Sequence, residues 1–191
     1  MKKIHLIVLI LFAMLTFSCE REPVLHYLSE KDSLMIPYQL GDKIHFTNRQ
    51  GDTIRFDVVE DETRWDVRQG DSKEQYRYVV LRRHGGRNRF RLELFGRHDN
   101  LDWGNGLLKI FDYENDCMAE CRFNDRVGFR GGITYDTLTI GGKVYRDVIS
   151  FSAFPGGRLY WTYYYNAADG LLQVEESRYG RPEAESAISR I

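Results

Sequence analysis

Proline, cysteine and net charge are all scarce in this chain, and each scarcity narrows what it can be. Four prolines stand against 17 glycines. With many Tyr, Phe, Val and Ile, that ratio favours strands joined by tight turns. Only three cysteines occur in 191 residues, but a chain this long buries roughly 70% of its unfolded surface, so one hydrophobic core stands without disulfide or metal staples. The formal net charge is -1, and no global field directs the protein to nucleic acid. Also missing are an H-E-x-x-H helix, a G-x-S-x-G elbow and a paired Cys/His set, which removes the sequence grounds for a zinc protease, a serine hydrolase or a zinc site. Outside the first 18 residues no long segment repeats with a 3.6-residue period. What is present is an ordinary folded-domain composition, 42% apolar and 29% charged, which argues against disorder.

The chain opens with Met1-Lys2-Lys3 and an apolar run over residues 4–18. That run is shorter than the roughly 20 residues needed to stay in a bilayer as a helix, and it has the layout of a secretory signal. Ser18, Cys19 and the charged Glu20-Arg21-Glu22 follow. This order resembles the bacterial lipoprotein signal, in which a small residue precedes a cysteine that is acylated and becomes the new N-terminus. Thr16 departs from the aliphatic residue usual three places before that cysteine. The expectation is a signal peptide over 1–18, a lipidated Cys19 with a spacer over 19–35 carrying a helical turn near Leu25–Leu28, and a β domain over 36–191. Cleavage by an ordinary signal peptidase after Ser18 and an uncleaved anchor are the competing readings. Several acyl chains would hold the protein in membrane lipid, at about 0.8 kcal/mol per buried CH₂.

From residue 41 onward the pattern is that of a β meander. Gly41-Asp42-Lys43-Ile44-His45-Phe46 is echoed by Gly51-Asp52-Thr53-Ile54-Arg55-Phe56, with Ile and Phe on one strand face and His45 or Arg55 on the other. Tyr76–Val80 and Phe90–Leu94 flank a hairpin tip at Gly85-Gly86, and Thr134–Ile140 and Val144–Phe151 flank Gly141-Gly142. Further strands fall near Leu108–Phe111, Ala119–Phe123, Leu159–Tyr165 and Gly170–Glu176. The fold class is all-β, a single antiparallel β-sandwich or curved half-barrel of about ten to twelve strands.

Leu138-Thr139-Ile140-Gly141-Gly142-Lys143-Val144-Tyr145-Arg146-Asp147-Val148-Ile149, then Leu159-Tyr160-Trp161, then Tyr165 through Gly170-Leu171-Leu172-Gln173-Val174, form a recurring arrangement. It resembles small uncharacterised lipoproteins of Bacteroidota, in which a turn, Tyr-x-Asp/Asn-Val strand precedes a Tyr-rich, Gly-Leu strand pair. The resemblance covers about 134–176 and the leader, and implies an envelope lipoprotein. It carries no catalytic residue. Gly170 fits a positive-φ turn there.

Four groups of side chains carry candidate chemistry. Arg82, Arg83, Arg87, Arg89 and Arg91, with Arg97 beyond, concentrate guanidiniums near one hairpin, a candidate site for phosphate or carboxylate groups. The alternative is a solvated face paired with nearby acids. Tyr160, Trp161, Tyr163 and Tyr164 are candidates for stacking on a glycan or other ligand, against which stands an ordinary core or barrel lining. Cys117 and Cys121 are a candidate disulfide if a turn brings them together; within one strand they lie about 13 Å apart. Asp57, Glu60, Asp61 and Glu62, and Asp112, Glu114 and Asp116, are acidic clusters expected on solvated loops, with paired-carboxylate hydrolysis as the sharper reading. No catalytic residue, metal site or cofactor is assigned. The expected function is a lipid-anchored envelope protein, at the outer membrane, acting as a non-enzymatic binding or assembly module for a protein or glycan. A carrier of lipid or another amphiphile and a glycan-directed hydrolase are the alternatives.

Overall fold

The computed structural model describes residues 23–67, 72–96, 106–124, 128–130, 132–156, 159–178 and 185–191; the leader, Cys19 and Arg97 lie outside the described residues. The elements are β1 (Leu25–His26), α1 (Glu30–Ser33), β2 (Lys43–Asn48), β3 (Thr53–Val67), β4 (Lys73–Arg83), β5 (Arg89–Phe95), β6 (Gly106–Asp112), β7 (Cys117–Asn124), β8 (Gly128–Arg130), β9 (Ile133–Ile140), β10 (Lys143–Gly156), β11 (Leu159–Asn166), β12 (Gly170–Arg178) and β13 (Glu185–Arg190). One sheet holds all thirteen of these strands, in the order β8-β7-β6-β5-β4-β3-β2-β13-β12-β11-β10-β9, with β1 added in parallel to β4. Every other neighbouring pair is antiparallel. Of the two all-β forms expected, the curled half-barrel is the one found, and the described residues form no second sheet to make a sandwich.

The echoed hexapeptides form β2 and β3. Ile44 faces Phe56 and Phe46 faces Ile54 across the ladder, all four in the core, while His45 and Arg55 pair on the outside. Period-two alternation thus decides which face is buried. Irregularities between Val58 and Glu60, Ala153 and Gly156, Tyr164 and Tyr165, and Val174 and Glu175 bend the strands, and bulges are the usual device for coiling a sheet. The sheet curls until β7 lies alongside β10. Inward side chains from both halves then merge into one core that includes Phe46, Phe56, Leu92, Ile110, Phe151 and Tyr163.

The segment expected as spacer is partly built into the barrel. Residues 25–26 are strand, and the helical turn stands at Glu30–Ser33, where the Ser29 hydroxyl accepts the Asp32 N–H as N-cap. Ile36 and Tyr38 enter the core from below. Arg77 fastens this plug: its guanidinium donates to the carbonyls of Ser33, Ile36 and Tyr38 and, through two further N–H groups, to the Asp61 carboxylate. The bulge in β3 makes this pairing available, since it changes which face Asp61 occupies. Asp61 and its acidic neighbours 57–62 are therefore strand residues, contrary to the loop expected from their charge. The Tyr38 hydroxyl accepts the Leu171 N–H at 2.6 Å, and Tyr165 donates to the Met35 carbonyl.

Outside the barrel, Ile140, Tyr145, Val148 and Leu172 form a second, smaller cluster covered by Tyr135, Leu138 and Tyr164. Tyr145 and Val148 are three apart, yet share it. Between them Asp147 takes φ 51°, a conformation Asp tolerates better than most residues.

Candidate functional site

Three hairpin tips, β2–β3, β4–β5 and β6–β7, rise around one end of the barrel. Together with the adjacent ends of β11, β12 and β13 they enclose an open cup of 270 Å³. Its floor is made by inward-facing strand residues, Ile54, Phe56, Phe90, Trp161, Val174 and Ile188. Its rim is polar: Asn48 and Gln50 from the first tip, Arg83 and Asn88 from the second, Glu114 and Asn115 from the third. The arrangement follows from the alternation, because the last inward position of each strand faces the mouth. Arg83 is such a position on β4, and its stem folds over Gly86, where a Cβ would stand 2.9 Å from the Arg83 side chain.

Asp112 closes β6 and is 2% exposed. Its carboxylate accepts the backbone N–H groups of Glu114 and Asn115, the Asn115 side-chain amide at 2.7 Å, and the Tyr163 hydroxyl at 3.2 Å. Four donors satisfy it, which offsets the cost of burying the charge. Below it the Cys117 thiol lies 3.0 Å from the Tyr163 oxygen. Glu114, on the rim, accepts from the Asn88 amide. Burial pushes its carboxyl above the usual range and the Asp112 charge pushes the same way, while Arg83 opposes both.

The expected arginine cluster does not converge. Among the described arginines of the cluster, only Arg83 reaches the cup. Arg82 and Arg89 face each other on the outer surface, with Arg82 also opposite Asp57; Arg89 stacks 4.1 Å over Tyr113. Arg91 packs 4.4 Å over Tyr78 and pairs with Glu93 at 2.6 Å. Arg87 is exposed in the hairpin tip. A two-residue period splits neighbouring arginines between faces, so density in sequence is not density in space. The outer ones act as cross-strand partners of acids and aromatics.

Among the aromatics, Trp161 alone of the four candidates lines the cup. Tyr163 lies beneath it, fully buried and tied to Asp112. Tyr164 is on the outer face and donates to Glu175 at 2.7 Å, and Tyr160 shares that face. Cys117 and Cys121 are free thiols. Both sit in β7, which corrects the disulfide expectation: no turn intervenes, and four residues of strand separate them by about 13 Å. Burial raises both thiols, Cys121 to about 12, which favours the protonated form at neutral pH.

The rim residues Asn48, Gln50, Asn88 and Asn115 escape a sequence reading because polar residues in turns are the norm. The available signal is their recurrence: each of three successive hairpin tips carries an amide. Asp112 departs from the solvated-turn expectation, being the turn's buried anchor.

The chain matches no protein-family model, no curated protein and no solved structure. Among the described residues no helix is long and apolar enough to cross a membrane, and no group of three or more His, Cys, Asp or Glu is placed to hold a metal ion.

Proposed function

We propose that the protein is an envelope lipoprotein, held at the outer membrane by acylated Cys19, whose cup binds a small hydroxylated ligand, the end unit of a glycan, without altering it. One observation carries this reading: an aromatic floor containing Trp161 is ringed by amides, Glu114 and Arg83. Sugars present apolar CH faces and outward hydroxyls, and a concave apolar surface with a few placed polar groups is the general form of a small-molecule site. The lipoprotein-type leader supports the compartment.

Two features count against the alternatives. The cup is smaller than the roughly 300–1,000 Å³ of drug-sized pockets, and among the described residues Phe46, Phe56, Leu92 and Tyr163 fill the barrel beneath it where an acyl chain would run. For a hydrolase, Asp112 and Glu114 belong to a single turn, and Asp112 already accepts four hydrogen bonds. Among the described residues no histidine lines the cup.

The test is titration of the protein with neutral, N-acetylated and uronic mono- and disaccharides, followed by calorimetry and tryptophan fluorescence. At least one class should bind, and Trp161→Ala should weaken it about tenfold, the equivalent of one aromatic contact of about 1.4 kcal/mol. Binding untouched by Trp161→Ala, or a fatty-acid probe that binds where no sugar does, overturns the proposal.

A further inference from the structure

At the end of the barrel opposite the cup, the β3–β4 hairpin outruns β5. β4 pairs with β5 only from Tyr76 onward, whereas β3 and β4 remain paired out to Val67 and Lys73. β1 takes the vacated edge of β4, with Leu25 opposite Lys73 and His26 opposite Glu74. Residues opposed across a ladder point to the same side. Leu25, Lys73 and Val67 therefore share one face. Two residues along, Tyr27 and Trp65 meet on that face edge to face, with ring centroids 5.1 Å apart. Leu25, Tyr27, Trp65 and Val67 are 43%, 65%, 42% and 70% exposed, and Lys73 is exposed among them. The other face carries His26, Glu74 and Asp66.

We infer that this face is a membrane-contact surface, seated in the headgroup region of the same bilayer that receives the acyl chains of Cys19. The inference rests on the lipid anchor proposed above. Cys19 precedes Val24 by five residues, which span at most about 18 Å when fully extended. The patch is thus held within reach of lipid. Its chemistry suits that interface: Trp and Tyr rings prefer the boundary between hydrocarbon and water, and a lysine can lay its stem on apolar surface while its ammonium meets anionic headgroups. Scattered exposed apolar residues need no explanation, but a contiguous aromatic and aliphatic face does. The contact would orient the barrel. Nine residues of β3 separate Phe56 in the cup from Trp65, roughly 30 Å at the strand rise, so the cup faces away from the bilayer that holds the protein.

The full-length lipidated protein is reconstituted into phosphatidylethanolamine–phosphatidylglycerol vesicles containing brominated acyl chains. One reporter keeps Trp65 (Trp103→Phe with Trp161→Phe) and the other keeps Trp161 (Trp65→Phe with Trp103→Phe). Trp65 emission should shift to the blue and lose roughly half its intensity or more, as an interfacial indole does, while the Trp161 reporter stays unquenched. If the protein floats with the vesicles but Trp65 is quenched no more than Trp161, the contact surface is wrong and the anchor stands. If it does not float and its mass shows an unmodified Cys19, the anchor reading falls and this one with it. Should a reporter lose its strand signature, hydrogen exchange of the unaltered protein decides the matter: vesicles should slow exchange in residues 24–27 and 64–67 and leave 48–52 unchanged, and the reverse overturns the inference.

Discussion

Gly170 starts β12 at φ 82°, and a methyl group there would stand 2.2 Å from the Tyr38 hydroxyl. Two penalties coincide, a left-handed backbone and an overpacked contact. Gly170→Ala should therefore destabilise the fold by about 2 to 5 kcal/mol, read as a lowered urea midpoint at unchanged slope. Half of this is legible in the sequence, since a Gly after Asn166–Asp169 between two strands signals a positive-φ turn. The other half is not, because Tyr38 and the Leu171 N–H it receives are 133 residues apart. Arg77 shows the same division. Sequence places it on a strand with alternating neighbours, but its five hydrogen bonds depend on a plug whose path is set by the tertiary fold. Of the arginine and aromatic candidates, Trp161 and Arg83 reach the cup, because each points inward near the mouth of the barrel. Tyr164 and Arg89, a residue or a few away, miss it by facing the other side.

The strands with strong alternation, β2, the first part of β3, β4 through β7 and β9 through β12, follow the sequence pattern closely. β13 does not. Its residues Glu-Ser-Ala-Ile-Ser-Arg carry too little apolar content to signal a strand, and its conformation is imposed by its two partners rather than by its own composition. Yet β13 pairs with β12 on one side and β2 on the other, and in the strand order it is the link between the β2–β8 half and the β9–β12 half. A chain ending at residue 184 would leave two long edges unpaired, and such edges recruit other chains. Its expected behaviour is aggregation and a broad, non-cooperative melt, measured by size-exclusion chromatography and near-ultraviolet circular dichroism. A truncated chain that elutes and melts like the intact protein would show that β13 is dispensable.

At the level of the whole molecule, the interior holds several groups that lose a proton only at high pH. Burial raises Tyr38 to about 12 and Cys121 to about 12, and it lifts Tyr163, Tyr164 and Tyr165 above the ordinary tyrosine value as well. The unfolded chain releases these protons first, near pH 10 for tyrosine. Each raised group thus contributes stability that is complete below its unfolded pKa and declines as pH climbs toward its folded one. Stability should fall steeply between about pH 10 and 12. Absorbance at 295 nm should show the exposed tyrosines ionising first and the buried ones only together with loss of strand signal; buried tyrosinate forming before unfolding would contradict the packing described. The closure of the barrel has a mechanical consequence. β7 and β10 run side by side, but among the described residues the hydrogen-bonded order ends at β8 and β9 without joining them. A tube slit along its length resists bending almost as well as a whole one but resists torsion far less. Twisting is therefore the soft deformation of this molecule, and the slit is the line along which the wall would first part under shear.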